Sequence, residues 1–327
     1  MIRILILIVL LFPSSIINYT KLAGNKPFES NTNTNTQIKK TSKILFARKN
    51  DNEDAWSIYG VNPNGTEEHI IIPLKSGQGE YNPEIAPDGS SVLFNTYRFG
   101  GWKLATFNLK TRRIKRISPS SNYYTNGVFS PDGQRIAFER NVQRTTHIFI
   151  SNKNGENEKN LTLGFNDENR APSWSIDRKF VLFYAKKGNV NDIYRIDISS
   201  NKIENISKNN TGNDFNPSVS PDGKQVAFFS DRNGYLDLYV MDISGSNQVN
   251  LTSQLQNKSN TYNYYKDNNM FWIFKASWSP NGKQLVFSNV KSDNVDLFTI
   301  DANGENLTQI TKTPESEFTP VWGLINL

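Results

Sequence analysis

One unit recurs along the chain with a period near 45 residues, and it limits the fold more than any other feature. Its fullest copy is residues 216–242, NPSVSPDGKQVAFFSDRNGYLDLYVMD. Residues 217–220 read as a first strand, Pro221-Asp222-Gly223 as a tight turn, residues 225–229 as a second strand and residues 238–241 as a third. Proline presets φ in such a turn, the Asp carboxylate bonds backbone two residues on, and glycine accepts positive φ. A fourth strand ends at residues 249–252. So small an up-and-down sheet cannot bury both faces alone, and it needs copies beside it.

Aligning the third strands places Ile58, Leu104, Ile148, Ile193, Leu238 and Leu297 in one column, with gaps of 46, 44, 45, 45 and 59. The turn recurs as Pro87-Asp88-Gly89, Pro131-Asp132-Gly133, Ile176-Asp177-Arg178 and Pro280-Asn281-Gly282. Four strands per unit at this period predict an all-β fold, a six-bladed β-propeller of four-stranded antiparallel blades. The first unit lacks its first strand, because residues 43–46 match a second strand. Residues 318–322, FTPVW, match FNPSV at 215–219, so the C-terminal strand is expected to join blade 1 and close the ring. Closure removes the open edges through which sheets aggregate.

Residues 1–12, MIRILILIVLLF, carry one positive charge ahead of a short apolar run, as an export signal or an anchor does. We read residues 1–23 as that leader, 24–41 as a polar, low-complexity linker and 42–327 as the propeller. Cysteine is absent, which excludes disulfides, thiol catalysis and cysteine-based metal sites. Net charge is +6; Lys110, Arg112, Arg113, Lys115 and Arg116 supply five of these charges, leaving +1 over the rest. That run falls on an outer strand, where cations guard a sheet edge.

Neither histidine, His69 or His147, stands beside a serine in a way that suggests a triad, and there is no G-x-S-x-G elbow or H-E-x-x-H. The turn aspartates are expected to bond their own backbone. The repeated first-strand column Ile85, Phe129, Trp174, Val219, Trp278 and Trp322 reads as packing between blades. No catalytic residue, metal ligand or cofactor is therefore assigned. The first residues of the inner strands mix acid, base and aromatic types: Tyr81, Tyr124, Arg170, Asp214 and Glu317 ring one mouth of the central channel. The 59-residue gap holds an insertion with Tyr262, Tyr264, Tyr265 and Trp272, expected on the same face. Aromatic anchors with a few charges suit a protein or peptide partner.

The repeat NPSVSPDGKQVAFFSDRNGYLDLYVMDISGSNQVNLT resembles the propeller repeats of the TolB family, a likeness that spans about residues 42–327. It implies a six-bladed, periplasmic or secreted, non-enzymatic module that acts through envelope partners such as the peptidoglycan-associated lipoprotein. The same repeats also occur in propellers attached to prolyl-oligopeptidase-type hydrolases. TolB proteins carry an α/β domain ahead of the propeller. Here only about twenty polar residues separate leader and first blade, too few for a folded domain, so TolA contact is not carried over. The expected function is protein binding or scaffolding in the cell envelope, with an envelope protein or peptide as partner. Nucleic-acid binding, and membrane contact beyond the leader, are not expected; the chain is expected to be a monomer. The alternative is a glycan-active lyase or hydrolase using channel-mouth residues. Fractionation of cells expressing the full chain should place it outside the cytoplasm; recovery wholly in the soluble cytoplasmic fraction would reject the export reading.

Overall fold

The Ser-Pro-Asp-Gly turns and their variants set the geometry between first and second strands in blades 3 to 6. Asp132 accepts from the Ser130 hydroxyl at 2.6 Å and from the Gln134 N–H at 3.1 Å. Asp177, Asp222 and Asn281 repeat the pattern with Ser175, Ser220 and Ser279. Each of these serines also accepts the backbone N–H five residues on, tying the start of the second strand to the end of the first. The turn residues thus satisfy one another locally, as the sequence predicts.

A computed structural model describes residues 39–326, apart from 51–54, 76–78, 120–122, 166–167, 210, 256–259, 268–269 and 292–293. The leader and nearly all of the proposed linker lie outside these residues. The described chain forms six four-stranded antiparallel sheets, each built in chain order from the inner strand outward except the first. The inner strands of blades 2 to 6 are Glu80–Ile85, Tyr124–Phe129, Asn169–Trp174, Asp214–Val219 and Ala276–Trp278. In blade 1 the C-terminal strand Glu317–Asn326 lies inside Lys40–Asn50, followed by Ala55–Val61 and His69–Ile72. The register runs from Lys40 opposite Asn326 to Arg48 opposite Glu317. The ring therefore closes as the repeat predicts, with the first described strand starting at Lys40. The sequence reads the insertion as a loop; the structure folds its middle into a short helix, Asn260–Asp267, and a 3₁₀ turn, Phe271–Ile273.

Five of the six inner strands share a bulge, blade 6 being the exception. Register skips between Tyr81 and Glu84, Thr125 and Val128, Arg170 and Ser173, and Phe215 and Ser218. At each skip one residue adopts positive φ: Asn82, Asn126, Ala171 and Asn216, with Thr319 in blade 1. Asparagine is the residue type that best tolerates this region after glycine. Proline follows in four of the five, at 83, 172, 217 and 320, where the interrupted ladder needs no donor. The bulge turns polar side chains toward neighbouring blades. Asn82 donates to Asn126 at 2.8 Å, and Thr319 accepts the Asn82 N–H at 3.2 Å. One register position further along, Trp278 Nε1 donates to the Ser218 carbonyl at 2.9 Å and Trp174 Nε1 to Val128 at 3.3 Å.

Closure carries its own ion pair. Arg48 Nε donates to Glu317 at 3.0 Å, while its two terminal nitrogens donate to Glu68 at 2.6 and 2.8 Å. The guanidinium lies 4.6 Å from the Tyr59 ring centre. Burial works against the Arg48 charge, but the Glu68 hydrogen bond and the charges of Glu317 and Glu68 more than offset it, and its pKa is raised. Glu317 is fully buried; burial outweighs its bonds to Thr313, Thr311 and Arg48 and pushes its carboxyl up to about 7.

Two expectations follow from closure. Deleting residues 317–327 removes the buried Phe318, Val321, Trp322 and Ile325 and exposes a strand edge. At ~1.5–3 kcal/mol per large buried side chain, melting should fall by ~10 °C or more or lose cooperativity; an unchanged melt would refute closure as the stabilising element. The second concerns pH. Glu317 binds its proton more tightly folded than unfolded, so its contribution to stability is present at acid pH and is lost as pH rises from about 4.5 through about 7. The turn aspartates shift the other way. Asp132 is held down first by the Ser130 hydroxyl, and Asp177 and Asp222 by their own serines, so their contribution is lost below about pH 4. Stability should peak near pH 5 and fall on both sides. Denaturant melts of Glu317→Gln should show a shallower slope between pH 5 and 7.5, the remainder coming from the other buried carboxyls Glu84 and Asp214, and should keep the acid limb.

Candidate functional site

The inner strands enclose a channel whose two ends differ. At the end where the Pro-Asp-Gly turns lie, it widens into a funnel of about 430 Å³ lined from all six blades. The rim is apolar, with Pro87, Pro131, Ile176, Pro221, Pro280 and Leu324. Ile176 and Leu324 are 48 % and 38 % exposed, among the few large apolar side chains left to solvent. Below the rim the wall is the column Ile85, Phe129, Trp174, Val219, Trp278 and Trp322. These residues pack between blades, as expected from sequence, and the same side chains face the funnel.

The floor is polar. Ser173, Ser218 and Ser277 present hydroxyls there, and Lys275 Nζ lies 3.4 Å from Glu84 across the inner end of blade 1. Burial in the channel pushes the Glu84 carboxyl up, and Lys275 opposes the shift. Among the described residues that line the funnel, these are the two that bear charge. Both break their columns: Glu84 stands where other blades have Val or Ser, and Lys275 replaces the positive-φ residue. Reading the columns for charge, rather than for size, would have found them. The rim required the three-dimensional arrangement, because its residues come from turns that look alike in every repeat.

The opposite end is filled by the insertion. Phe271 stacks on Phe215 of blade 5 at 4.6 Å, Tyr265 meets Phe274 of blade 6 at 5.5 Å and Phe318 of blade 1 at 6.3 Å, and Trp272 meets Tyr81 of blade 2 at 5.5 Å. Asn216 fastens this cap by donating to the Phe271 carbonyl at 2.9 Å and to that of Phe274. Trp272 and the bulge residues Asn82, Asn126 and Asn216 bound a void of about 30 Å³, where the channel ends.

The residues singled out from sequence lie around this capped end. Tyr81, Tyr124, Asp214 and Glu317 are buried. Tyr124 donates to Glu158 at 3.0 Å, Asp214 accepts from Arg232 at 2.8 and 3.0 Å, and Glu317 pairs with Arg48. Burial pushes the Tyr81 hydroxyl and the Asp214 carboxyl up, Arg232 opposing the latter. Glu80, one position before Tyr81, pairs with Arg98 at 2.5 Å in the same manner. Arg170 is part-exposed and lies 3.6 Å from the buried Glu139 and 3.5 Å from Glu168. Glu139 in turn accepts from Asn126, Thr125 and the Ala171 N–H, linking blades 3 and 4. Tyr262 and Tyr264 fall on the Asn260–Asp267 helix. The mixture of types at this ring therefore has an internal use, each charge meeting an opposite one within the wall. In the loop at residues 230–234, Asp231 accepts from both nitrogens of Asn213 and Arg232 pairs with Asp214.

The "TolB beta propeller domain" family model matches residues 39–190 and 165–276. Two curated relatives, the Tol-Pal system protein TolB of Anaeromyxobacter dehalogenans strains 2CP-C and 2CP-1, are each 26% identical over 107 residues, 33% of this chain and 24% of theirs. The match thus spans about a quarter of the length of those relatives. Among solved structures, TolB from Acinetobacter baumannii superposes with a TM-score of 0.72 at 16% identity, covering 86% of this chain and 66% of that one. Putative TolB from Agrobacterium tumefaciens gives 0.65 at 17%, covering 88% and 99%. A chain of a nidogen/laminin complex gives 0.66 at 12%, covering 88% and 100%, a likeness of fold alone. The repeat, the six closed blades and the match over most of the chain make this protein a member of the TolB β-propeller family.

Proposed function

We propose that the chain is an exported, non-enzymatic protein-binding or scaffolding module of the cell envelope, periplasmic or secreted. The observation that carries the reading is the funnel: a rigid ring with one end capped and the other open, apolar at the rim and charged at the floor. A concave surface with apolar walls and a few convergent polar groups is suited to holding a segment of a partner. An envelope protein or peptide enters as a monomer's ligand from the turn face. It lays apolar side chains against Ile176, Leu324 and the tryptophan wall, and it sets a polar or charged tip on Lys275 and Glu84. The part-exposed members of the capped end, Arg170 and Trp272, form a second contact area beside the helix that bears Tyr262 and Tyr264. Family membership and the apolar leader support the envelope setting.

A glycoside hydrolase of the common kind places two carboxylates about 5–10 Å apart around a sugar. Among the described funnel residues one carboxylate is present, and Lys275 faces it. The protein-binding reading is therefore the better supported.

The test uses envelope extracts and matched variants. Ile176→Asp with Leu324→Asp should weaken capture of the principal partner roughly ten-fold or more, with an unchanged melting temperature because both sites are exposed. Arg170→Ala should have the smaller effect. Full retention by the double variant, with loss on Arg170→Ala, would move the site to the capped end.

A further inference from the structure

The outer hairpin of blade 2 is unlike the other five. It carries Lys110, Arg112, Arg113, Lys115 and Arg116 within seven residues and no carboxylate. Guarding an edge strand does not require this. The equivalent hairpins elsewhere carry carboxylates: Glu67 and Glu68 in blade 1, Glu156 and Glu158 with Lys153 in blade 3, Glu204 with Lys202 in blade 4, and Glu305 in blade 6. All five blade 2 cations are exposed, and none forms an ion pair with a carboxylate among the described residues. Arg112 and Arg116 lie against the blade, 4.9 Å from the Phe107 ring centre and 5.7 Å from that of Phe99. Lys110, Arg113 and Lys115 project from it. Carboxylates on the adjoining flank are held elsewhere: Asp88 by Ser90, Asp132 by Ser130 and Arg178.

Two further observations bear on the partner. Phe99 and Tyr123, at the other end of the same edge, are large aromatics left 36 % and 53 % exposed. The described chain also begins beside this blade. Lys40 pairs with Asn326, and Asn326 donates to the Gly89 and Asp88 carbonyls in the blade 2 turn. Ahead of Lys40 the sequence holds the apolar run 1–12 and an intervening stretch, residues 13–38. Residues 13–38 join that run to the propeller, so a run held in a bilayer confines blade 2 to the reach of that length of chain from the surface.

We propose that the outer edge of blade 2 is a membrane-facing surface for anionic phospholipid. Lys110, Arg113 and Lys115 meet headgroup phosphates, and Phe99 and Tyr123 sit at the interface, where aromatics beside cations are favoured. The edge lies along the bilayer, which leaves the funnel mouth clear. This departs from the sequence expectation of no membrane contact beyond the leader. A nucleic acid is the poorer fit, since it calls for a basic groove with interleaved aromatics, and the cleft beside these cations, which Lys115 lines, also holds Asp88 and Asp132.

The test is co-sedimentation of the full chain with vesicles of phosphatidylcholine alone and of phosphatidylcholine with phosphatidylglycerol. The leader is common to all samples and cancels in the comparison. Lys110→Gln/Arg113→Gln/Lys115→Gln should lose about five-fold per cation on the anionic vesicles, about a hundred-fold together, with no change on neutral vesicles or in melting temperature. Wild-type excess on anionic vesicles should vanish at ~0.5 M salt. Should the triple variant misfold, Lys110→Gln/Arg113→Gln on the exposed turn should still lose about twenty-fold. Equal binding of wild type and variant to anionic vesicles, or equal binding of wild type to both vesicle types, overturns the proposal. Displacement by short duplex DNA at lower concentration than by anionic vesicles overturns it in favour of a nucleic acid.

Discussion

Closure of the ring is the constraint on which the rest depends. Each blade buries one face against its neighbour, so the first and last blades are satisfied only by each other. The C-terminal strand Glu317–Asn326 meets that need by supplying the inner strand of blade 1. It brings Phe318, Val321, Trp322 and Ile325 into the core, and the Trp322 indole donates to Ser42 at 2.8 Å across the seam. The Arg48–Glu317 pair sits at the same seam. A buried ion pair adds little net stability over an apolar alternative, but removing one partner is costly, so it favours the correct register over slipped ones. Closure fixes the diameter of the channel, and the channel holds the candidate site.

The two ends of that channel differ because the inner strands are not equivalent along their length. Near their starts, polar and charged groups are drawn into pairs within the wall, Glu80 with Arg98, Asp214 with Arg232 and Glu317 with Arg48. The insertion then closes that end with aromatic contacts to blades 5, 6, 1 and 2. Near their ends, large apolar residues face one another across open space. A stiff ring cannot contract to bury them, since every inner strand is held by its neighbours and five of the six by a bulge as well. The apolar funnel is thus a consequence of the architecture, and it leaves a surface that a partner segment can fill.

Much of the fold was legible in the sequence because its signals are local. The Asp-containing turns and the β-rich runs between them act over a few residues, and the 45-residue period repeats them along the chain. The site was less legible. Tyr124 and Asp214 looked like surface groups because their types vary from repeat to repeat, yet each meets a partner from another strand or loop, Glu158 and Arg232. The tyrosine-rich insertion gave no helical period, and its middle becomes helical by packing on the ring. Glu84 and Lys275 lie 191 positions apart, and no local pattern pairs them.

What the sequence alone determined is the number of blades, the strand that closes them, the turn chemistry and the single basic edge. These rest on periodicity and composition, which are properties of short segments. Only the tertiary structure decided which end of the channel is open, which charges are neutralised inside the wall and which apolar residues stay uncovered. Those outcomes depend on distances between residues far apart in the chain, and a ring brings such residues together only after it has closed.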